Sequence, residues 1–151
     1  MTITTNAAIE VFGDQDNLTN SSASVADGGV SLQSDLAQWT NDDDTPNASV
    51  VLSVTFASAP DVSSGVGLYM RMMDIDGTND QEAPDGNFSH LYVGRFPVND
   101  VTANQFITID IDLRNTTSSQ LYEFYIQNDA GQTMNAGWYL LVTPKTVAPH
   151  A

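Results

Sequence analysis

The sequence predicts an all-β fold, a single-domain antiparallel β-sandwich or jelly roll of about eight strands. Two observations lead to this prediction. Segments rich in β-branched and aromatic residues recur along the 151-residue chain, and clusters of Asp, Asn, Ser, Gly and Pro separate them. A helix signal occurs only at Ser34–Trp39, where Ser34 could cap a single turn. Short strands divided by turn clusters, without a repeat of fixed period, are typical of sandwiches and jelly rolls.

The candidate strands differ in how clearly they show a two-residue period. The clearest is Phe106–Leu113, in which isoleucine or leucine alternates with threonine or aspartate, as expected of a half-buried strand. In Gln120–Asp129 we assign the face of Tyr122 and Phe124 to the core, and Tyr125 lies on the opposite, polar face. The other candidates are residues 8–12, 29–33, 48–57, 65–75, 88–98 and 137–144.

The length of the chain suits one domain. We place the β-sandwich in residues 1–143, of which residues 1–7 could form an arm. The last eight residues, 144–151, read PKTVAPHA and contain two prolines without apolar periodicity. We therefore expect them to form an extended tail, ordered only where it docks on another surface.

The charge and composition exclude several kinds of partner and site. The chain has 19 acidic and 4 basic residues, a formal net charge of −15, and no cysteine. Nucleic acids bind through many lysines and arginines, and anionic membrane surfaces also select basic proteins, so we expect neither partner. Disulfides and zinc–thiolate sites are excluded because there is no cysteine.

Candidate catalytic groups are few. The two histidines are His90, within a predicted strand, and His150, the penultimate residue, and we expect neither to serve in a nucleophilic triad. Asp110 and Asp112 lie two residues apart on one strand face, where they could form a glycosidase-like carboxylate pair. The clean alternation favours a solvated strand face instead. We expect no enzymatic activity, and a hydrolase is the third and last hypothesis.

Two acidic stretches are candidates for a calcium ion as cofactor, DIDGTNDQE and, with slightly less weight, NDDDTPN (Asn41–Asn47). Asp74, Asp76 and Asp80 offer the oxygen ligands that calcium prefers. Counted from Asp74, however, Gly77 is fourth and Glu82 ninth, whereas an EF-hand loop has glycine sixth and glutamate twelfth. The pattern therefore favours a hydrated surface loop joining two strands, and we expect no cofactor.

Three segments give the chain a family resemblance. They read LYMRMMDIDGTNDQEAP, HLYVGRFPVNDV and YEFYIQNDAGQTMNAGWYLLVTPKT. Their pattern resembles small virion proteins of tailed bacteriophages, of the kind that decorate or cement the capsid. The resemblance extends over about residues 32–149 and rests on overall pattern, without a catalytic or ligand-binding motif.

The resemblance implies a β-sandwich protein that binds the major capsid protein and forms a homo-oligomer, often a trimer, on the outer capsid surface. It implies synthesis in the host cytoplasm, which is consistent with an N-terminus that lacks the basic and apolar regions of a signal peptide. Extended terminal segments are then the expected attachment points. The predicted interface residues are Thr2, Ile3, Thr4, Pro144, Lys145, Thr146, Val147 and Pro149.

A carbohydrate-binding module of a phage head or tail is the alternative from a different functional class. Such a module needs exposed aromatic side chains on which a sugar ring can stack. Tyr69, Tyr92 and Tyr125 are the candidates, beside the acidic loop.

Overall fold

The structure, a computed structural model, describes residues 8–84 and 91–149. Within these residues, nine strands form two antiparallel sheets that pack as a single-domain sandwich, which confirms the predicted fold class. The elements are β1 (Ala8–Phe12), β2 (Asp16–Asn17), a short 3₁₀ helix (Gln33–Asp35), β3 (Trp39–Thr40), β4 (Asn47–Val54), β5 (Gly65–Met72), β6 (Tyr92–Pro97), β7 (Gln105–Asp112), β8 (Leu121–Asp129) and β9 (Tyr139–Pro149).

The strand order is that of a jelly roll. The first sheet runs β1-β9-β4-β7, with the two-residue β2 paired beside β9, and the second runs β3-β8-β5-β6. Strands β1, β4, β7 and β9 thus lie in the first sheet, and β3, β5, β6 and β8 lie in the second. Strands adjacent in the sequence therefore mostly lie in different sheets, as expected when two Greek keys are wound together.

The core lies between the sheets and follows the two-residue period of the strands. Val50 and Leu52 of β4 face Leu68 of β5 and Phe124 of β8 across the sandwich, and all four are almost fully buried. Burying each such side chain stabilises the fold by about 1.5–3 kcal/mol. The Tyr122 hydroxyl enters the core from β8 and donates a hydrogen bond to the Leu113 carbonyl at 2.7 Å.

Two local predictions differ from the structure. Residues 29–33 do not form a strand, because Val30 alone bridges to Gln127 before the chain turns into the 3₁₀ helix. The helical turn also starts earlier than predicted. The Asp35 side chain, rather than that of Ser34, closes the turn by accepting the Leu32 backbone N–H at 2.8 Å.

Strand β9 continues across the domain boundary predicted after Thr143 and ends at Pro149. Residues 145–149 pair with β1, from Lys145 opposite Phe12 to Pro149 opposite Ala8. The segment PKTVAP is extended, as expected, but it belongs to the first sheet. Its partner strand lies more than 130 residues earlier in the chain, so a local reading of the tail could not identify it.

The described residues include no helix that is long and apolar enough to cross a membrane.

Candidate functional site

Both ends of the described chain form the outer edge of the first sheet. We call β1 together with residues 144–149 the terminal edge. Strand β1 pairs with β9 on one side, and within residues 8–84 and 91–149 its other side has no strand partner. An open strand presents a row of backbone donors and acceptors to which another chain can add. The terminal edge is therefore suited to strand addition.

Large apolar side chains are exposed on the terminal edge. Val11, Phe12 and Val147 are 42%, 54% and 61% exposed. The pairing of Glu10 with Val147 places Phe12 and Val147 on the outer face of the sheet, and Val11 on the inner side. Clustered exposed apolar side chains mark interaction surfaces more often than isolated ones do. This edge combines such side chains with open backbone groups.

The predicted interface residues of the C-terminal segment contribute in different ways. Val147 is exposed and Thr146 is half-buried, whereas Pro144 and Lys145 are buried. Sequence reasoning missed the apolar residues of β1, although the letters AIEVF place apolar side chains on both faces of one short strand. Three further predicted residues lie outside the described part of the chain: Thr2, Ile3 and Thr4.

Lys145 holds the terminal edge onto the sheet. Its Nζ donates to Glu10 Oε1 of β1 at 3.1 Å and lies 2.8 Å from Asp110 Oδ2 of β7. The lysine thus reaches across β4 and joins the two outer strands of the sheet. Hydrogen bonds to Asp110 and Glu10 raise the pKa of Lys145. These groups line a surface cleft of about 320 Å³. Lys145 therefore fixes the position of the terminal edge relative to β7.

Asp110 and Asp112 have separate structural contacts. Asp110 pairs with Lys145, and Asp112 Oδ1 accepts the backbone N–H of Arg114 at 2.9 Å, where the chain turns after β7. Glycoside hydrolysis needs two carboxylates that face each other across the substrate. Here one carboxylate is paired with a lysine and the other caps a turn. The contacts favour the interpretation of a solvated strand face.

The acidic loop after β5 directs its carboxylates to its own backbone. Asp80 Oδ1 accepts the Asp74 N–H at 2.9 Å, and Asp76 Oδ1 accepts the N–H groups of Thr78 and Asn79. The hydrogen bonds from Asn79 and Thr78 lower the pKa of Asp76. No three His, Asp or Glu side chains converge as metal ligands would within residues 8–84 and 91–149. The carboxylates of Asp76 and Asp80 therefore stabilise turns of the loop.

A buried carboxylate with four side-chain partners lies on the outer side of β8. Glu123 is 5% exposed and forms an ion pair with Arg71, whose Nε donates to its Oε2 at 2.6 Å. Gln33 and Gln38 donate to Oε1 at 3.0 and 2.7 Å, and the Tyr125 hydroxyl donates to Oε2 at 3.0 Å. We call these five residues the Glu123 cluster. The cluster joins β5 and β8 to the segment that precedes β3.

Tyr125 lies on the outer, polar face of β8 as predicted, but the Glu123 cluster buries it, so the expectation that it is an exposed aromatic residue is wrong. Tyr125 is only 4% exposed, because residues 33–38 cross the outer side of β8. Burial raises the pKa of Tyr125 to about 12, and its bond to Glu123 adds to the rise. Burial alone would raise the pKa of Glu123, but hydrogen bonds from Gln38, Gln33, Arg71 and Tyr125 outweigh it and lower that pKa.

The other two candidate tyrosines lie together on the outer face of the second sheet. Tyr92 is 41% exposed, and Tyr69 beside it is half-buried. Their ring centroids are 5.6 Å apart in an edge-to-face arrangement. This pair is an exposed aromatic surface of the kind that the carbohydrate-binding alternative requires.

Known proteins do not assign a family to the chain. A comparison with protein-family models found no match, and a search of the curated proteins also found none. Any functional conclusion therefore depends on the surfaces described above.

Proposed function

We propose that this protein is a non-enzymatic virion structural protein of the capsid decoration or cement type. It binds the outer surface of a capsid and stabilises the shell. Its partners are the major capsid protein and further copies of itself, for which we propose a homotrimer.

The observation that carries this proposal is the terminal edge. It joins both ends of the described chain in one open strand pair and exposes Val11, Phe12 and Val147 there. Addition of a capsid strand to β1 would satisfy its open backbone groups, and the same partner could cover Phe12 on the outer face of β1. Lys145 fixes the edge to β7, so less conformational freedom is lost when a partner binds.

Charge and architecture are consistent with this role. The net charge of −15 repels packaged nucleic acid, which favours a position on the outer surface. The jelly roll is an architecture of viral capsid domains, but it also occurs in lectins, so architecture alone does not assign the function. The described carboxylates that could suggest catalysis are paired with Lys145 or Arg71, or cap turns.

The test is co-sedimentation with shells assembled from the major capsid protein alone. We expect the wild-type protein to bind in a fixed ratio, and the double variant Phe12→Ser, Val147→Ser to bind at least about tenfold more weakly, because two apolar contacts are removed. Val62→Ser is the matched control, since Val62 is 78% exposed in the loop between β4 and β5. Equal binding by both variants would remove the terminal edge as the interface. Failure of the wild-type protein to bind would reject the proposed function.

Self-association is measured separately by light scattering after size exclusion. The proposal expects a mass three times that of the 16.2 kDa chain. A monomer at all concentrations would reject the trimer, and the capsid-binding role would then depend on the co-sedimentation result alone.

A further inference from the structure

Three tyrosines form a row across the outer face of the second sheet. Tyr69 of β5 lies opposite Tyr92 of β6 on one side and opposite Tyr125 of β8 on the other. Tyr125 is covered, whereas Tyr92 is 41% exposed. The exposed part of the row is thus at the β5–β6 side of the sheet. It is formed by the edge-to-face pair of Tyr69 and Tyr92, whose rings are inclined by 75°.

Two glycines of β5 lie on the same outer face as this pair. Gly65 and Gly67 face outward, because Val66 and Leu68 face the core, and neither is among the glycines with a positive φ. A Cβ at Gly67 would lie 3.4 Å from the Tyr69 ring and 3.6 Å from the Tyr92 ring. These are ordinary van der Waals distances, so both rings lie directly beside the strand at this residue.

Arg95 covers the second glycine, Gly65, much more closely. A Cβ at Gly65 would collide with the Arg95 side chain, so only glycine allows this guanidinium to lie along the strand. The Arg95 NH2 group donates to the Ser63 carbonyl at 3.2 Å, which fixes its direction. Arg95 therefore lies on the same outer face as the two tyrosine rings, with its guanidinium directed toward Ser63.

Fixed polar groups border this surface on the β8 side. The Tyr69 hydroxyl donates to Gln127 Oε1 at 2.9 Å, and Gln127 Nε2 donates to Asp129 Oδ1 at 3.3 Å. These bonds hold the carboxamide between a tyrosine and an aspartate. Asp129 is exposed, so its second carboxylate oxygen can accept hydrogen bonds from a ligand.

We propose that this surface, defined by Tyr69, Tyr92, Arg95, Gln127 and Asp129, binds an uncharged glycan. One pyranose ring stacks on Tyr92, and the hydroxyls of the next sugar units contact Arg95 and Asp129, which lie further along the same face. A sugar presents an apolar C–H face with hydroxyls at its rim, which matches an aromatic ring that shares a sheet face with a guanidinium and a carboxylate. Acidic glycans are disfavoured by the net charge of −15.

The site does not depend on the proposed capsid role. It lies on the outer face of the second sheet, whereas the terminal edge belongs to the first, so both surfaces can be occupied at once. A protein fixed to a shell by its terminal edge could thus present the tyrosine pair to a glycan. Many copies on one particle would strengthen weak single contacts.

The experiment uses an array of immobilised oligosaccharides, both uncharged and sialylated, probed with the fluorescently labelled full chain. A soluble form of the best uncharged hit is then titrated and followed by isothermal titration calorimetry. We expect binding to uncharged glycans, about tenfold weaker binding for Tyr92→Ala, and retained or tighter binding for Tyr92→Trp, because the stacking ring is kept or enlarged.

Phe106→Ala is the matched control, because Phe106 is an exposed aromatic residue on the outer face of the other sheet. It should bind as the wild-type protein does, and thermal melting should show that all variants are folded. The proposal is overturned if the wild-type protein binds no uncharged glycan. It is also overturned if Tyr92→Ala and Phe106→Ala bind equally well, since the site would then lie elsewhere.

Discussion

Replacing Glu123 by glutamine should destabilise the protein more than any substitution of an exposed acid. Glutamine has nearly the same shape, but it lacks the charge and one of the two acceptor atoms. Its amide would place N–H donors against those of Arg71 in one orientation or against those of Gln38 in the other, and the Arg71 side chain is only 13% exposed. The arginine would then keep a buried charge without its partner.

The magnitude follows from the contacts that are lost. Arg71 Nε donates to Glu123 at 2.6 Å, and its NH2 group lies 2.5 Å from the same oxygen. Hydrogen bonds to charged groups contribute about 1.5–3 kcal/mol each. Removing one partner of a buried ion pair costs about 3–5 kcal/mol. We therefore expect Glu123→Gln to lower the free energy of unfolding by about 3–5 kcal/mol.

Urea unfolding at pH 7 measures this loss, and Asp110→Asn is the matched control. Asp110 also pairs with a basic residue, but its side chain is 63% exposed, so its replacement should cost less than about 1 kcal/mol. Arg71→Met combined with Glu123→Gln should recover part of the loss, because no unpaired charge is left. A loss below about 1 kcal/mol for Glu123→Gln would refute the reasoning.

The loss of stability caused by Glu123→Gln should depend on pH. The pKa of Glu123 is lowered by folding, so its contribution to stability is present above the unfolded-state pKa and is lost as the pH falls through the folded-state value. The difference in unfolding free energy between wild type and Glu123→Gln should thus be full at pH 7 and shrink below about pH 4. A difference that grows on acidification would contradict this assignment.

Three further outcomes are expected. Tyr122→Phe should lower the free energy of unfolding by about 1–3 kcal/mol in urea titrations, because the buried Leu113 carbonyl loses a donor; an unchanged midpoint would contradict this. Lys145→Met should speed amide hydrogen exchange in β1 with little change in global stability, and unchanged exchange there would show that the ion pairs do not hold the edge. Millimolar calcium should leave the melting temperature unchanged, because Asp76 caps backbone amides; a rise abolished by Asp76→Ala would reveal a calcium site.

The parts of the fold that sequence predicted best are strands with one buried face. In Phe106–Leu113 the alternation is clean because one side meets the core and the other meets water. The alternation in β8 does not predict that Tyr125 and Glu123 are buried, because a segment distant in sequence covers the outer side of this strand. A two-residue period distinguishes the two faces of a strand but does not show what covers the second face.

The candidate sites could be predicted only in part for a related reason. Val147 was expected in an interface from its place near the chain end, and it is exposed. Phe12 was missed because its exposure depends on β1 being the outermost strand, which follows from a pairing with β9 that no local pattern encodes. The position of Lys145 between Glu10 and Asp110 likewise requires three strands that are far apart in sequence.

Scanning calorimetry of capsid shells that lack this protein tests the central claim most directly. The shells are heated alone, with saturating wild-type protein, and with the Phe12→Ser, Val147→Ser variant at the same concentration. If the protein binds through the terminal edge, wild type should raise the melting temperature of the shells, and the variant should raise it less at the same concentration. A melting temperature that wild-type protein does not raise would contradict the account.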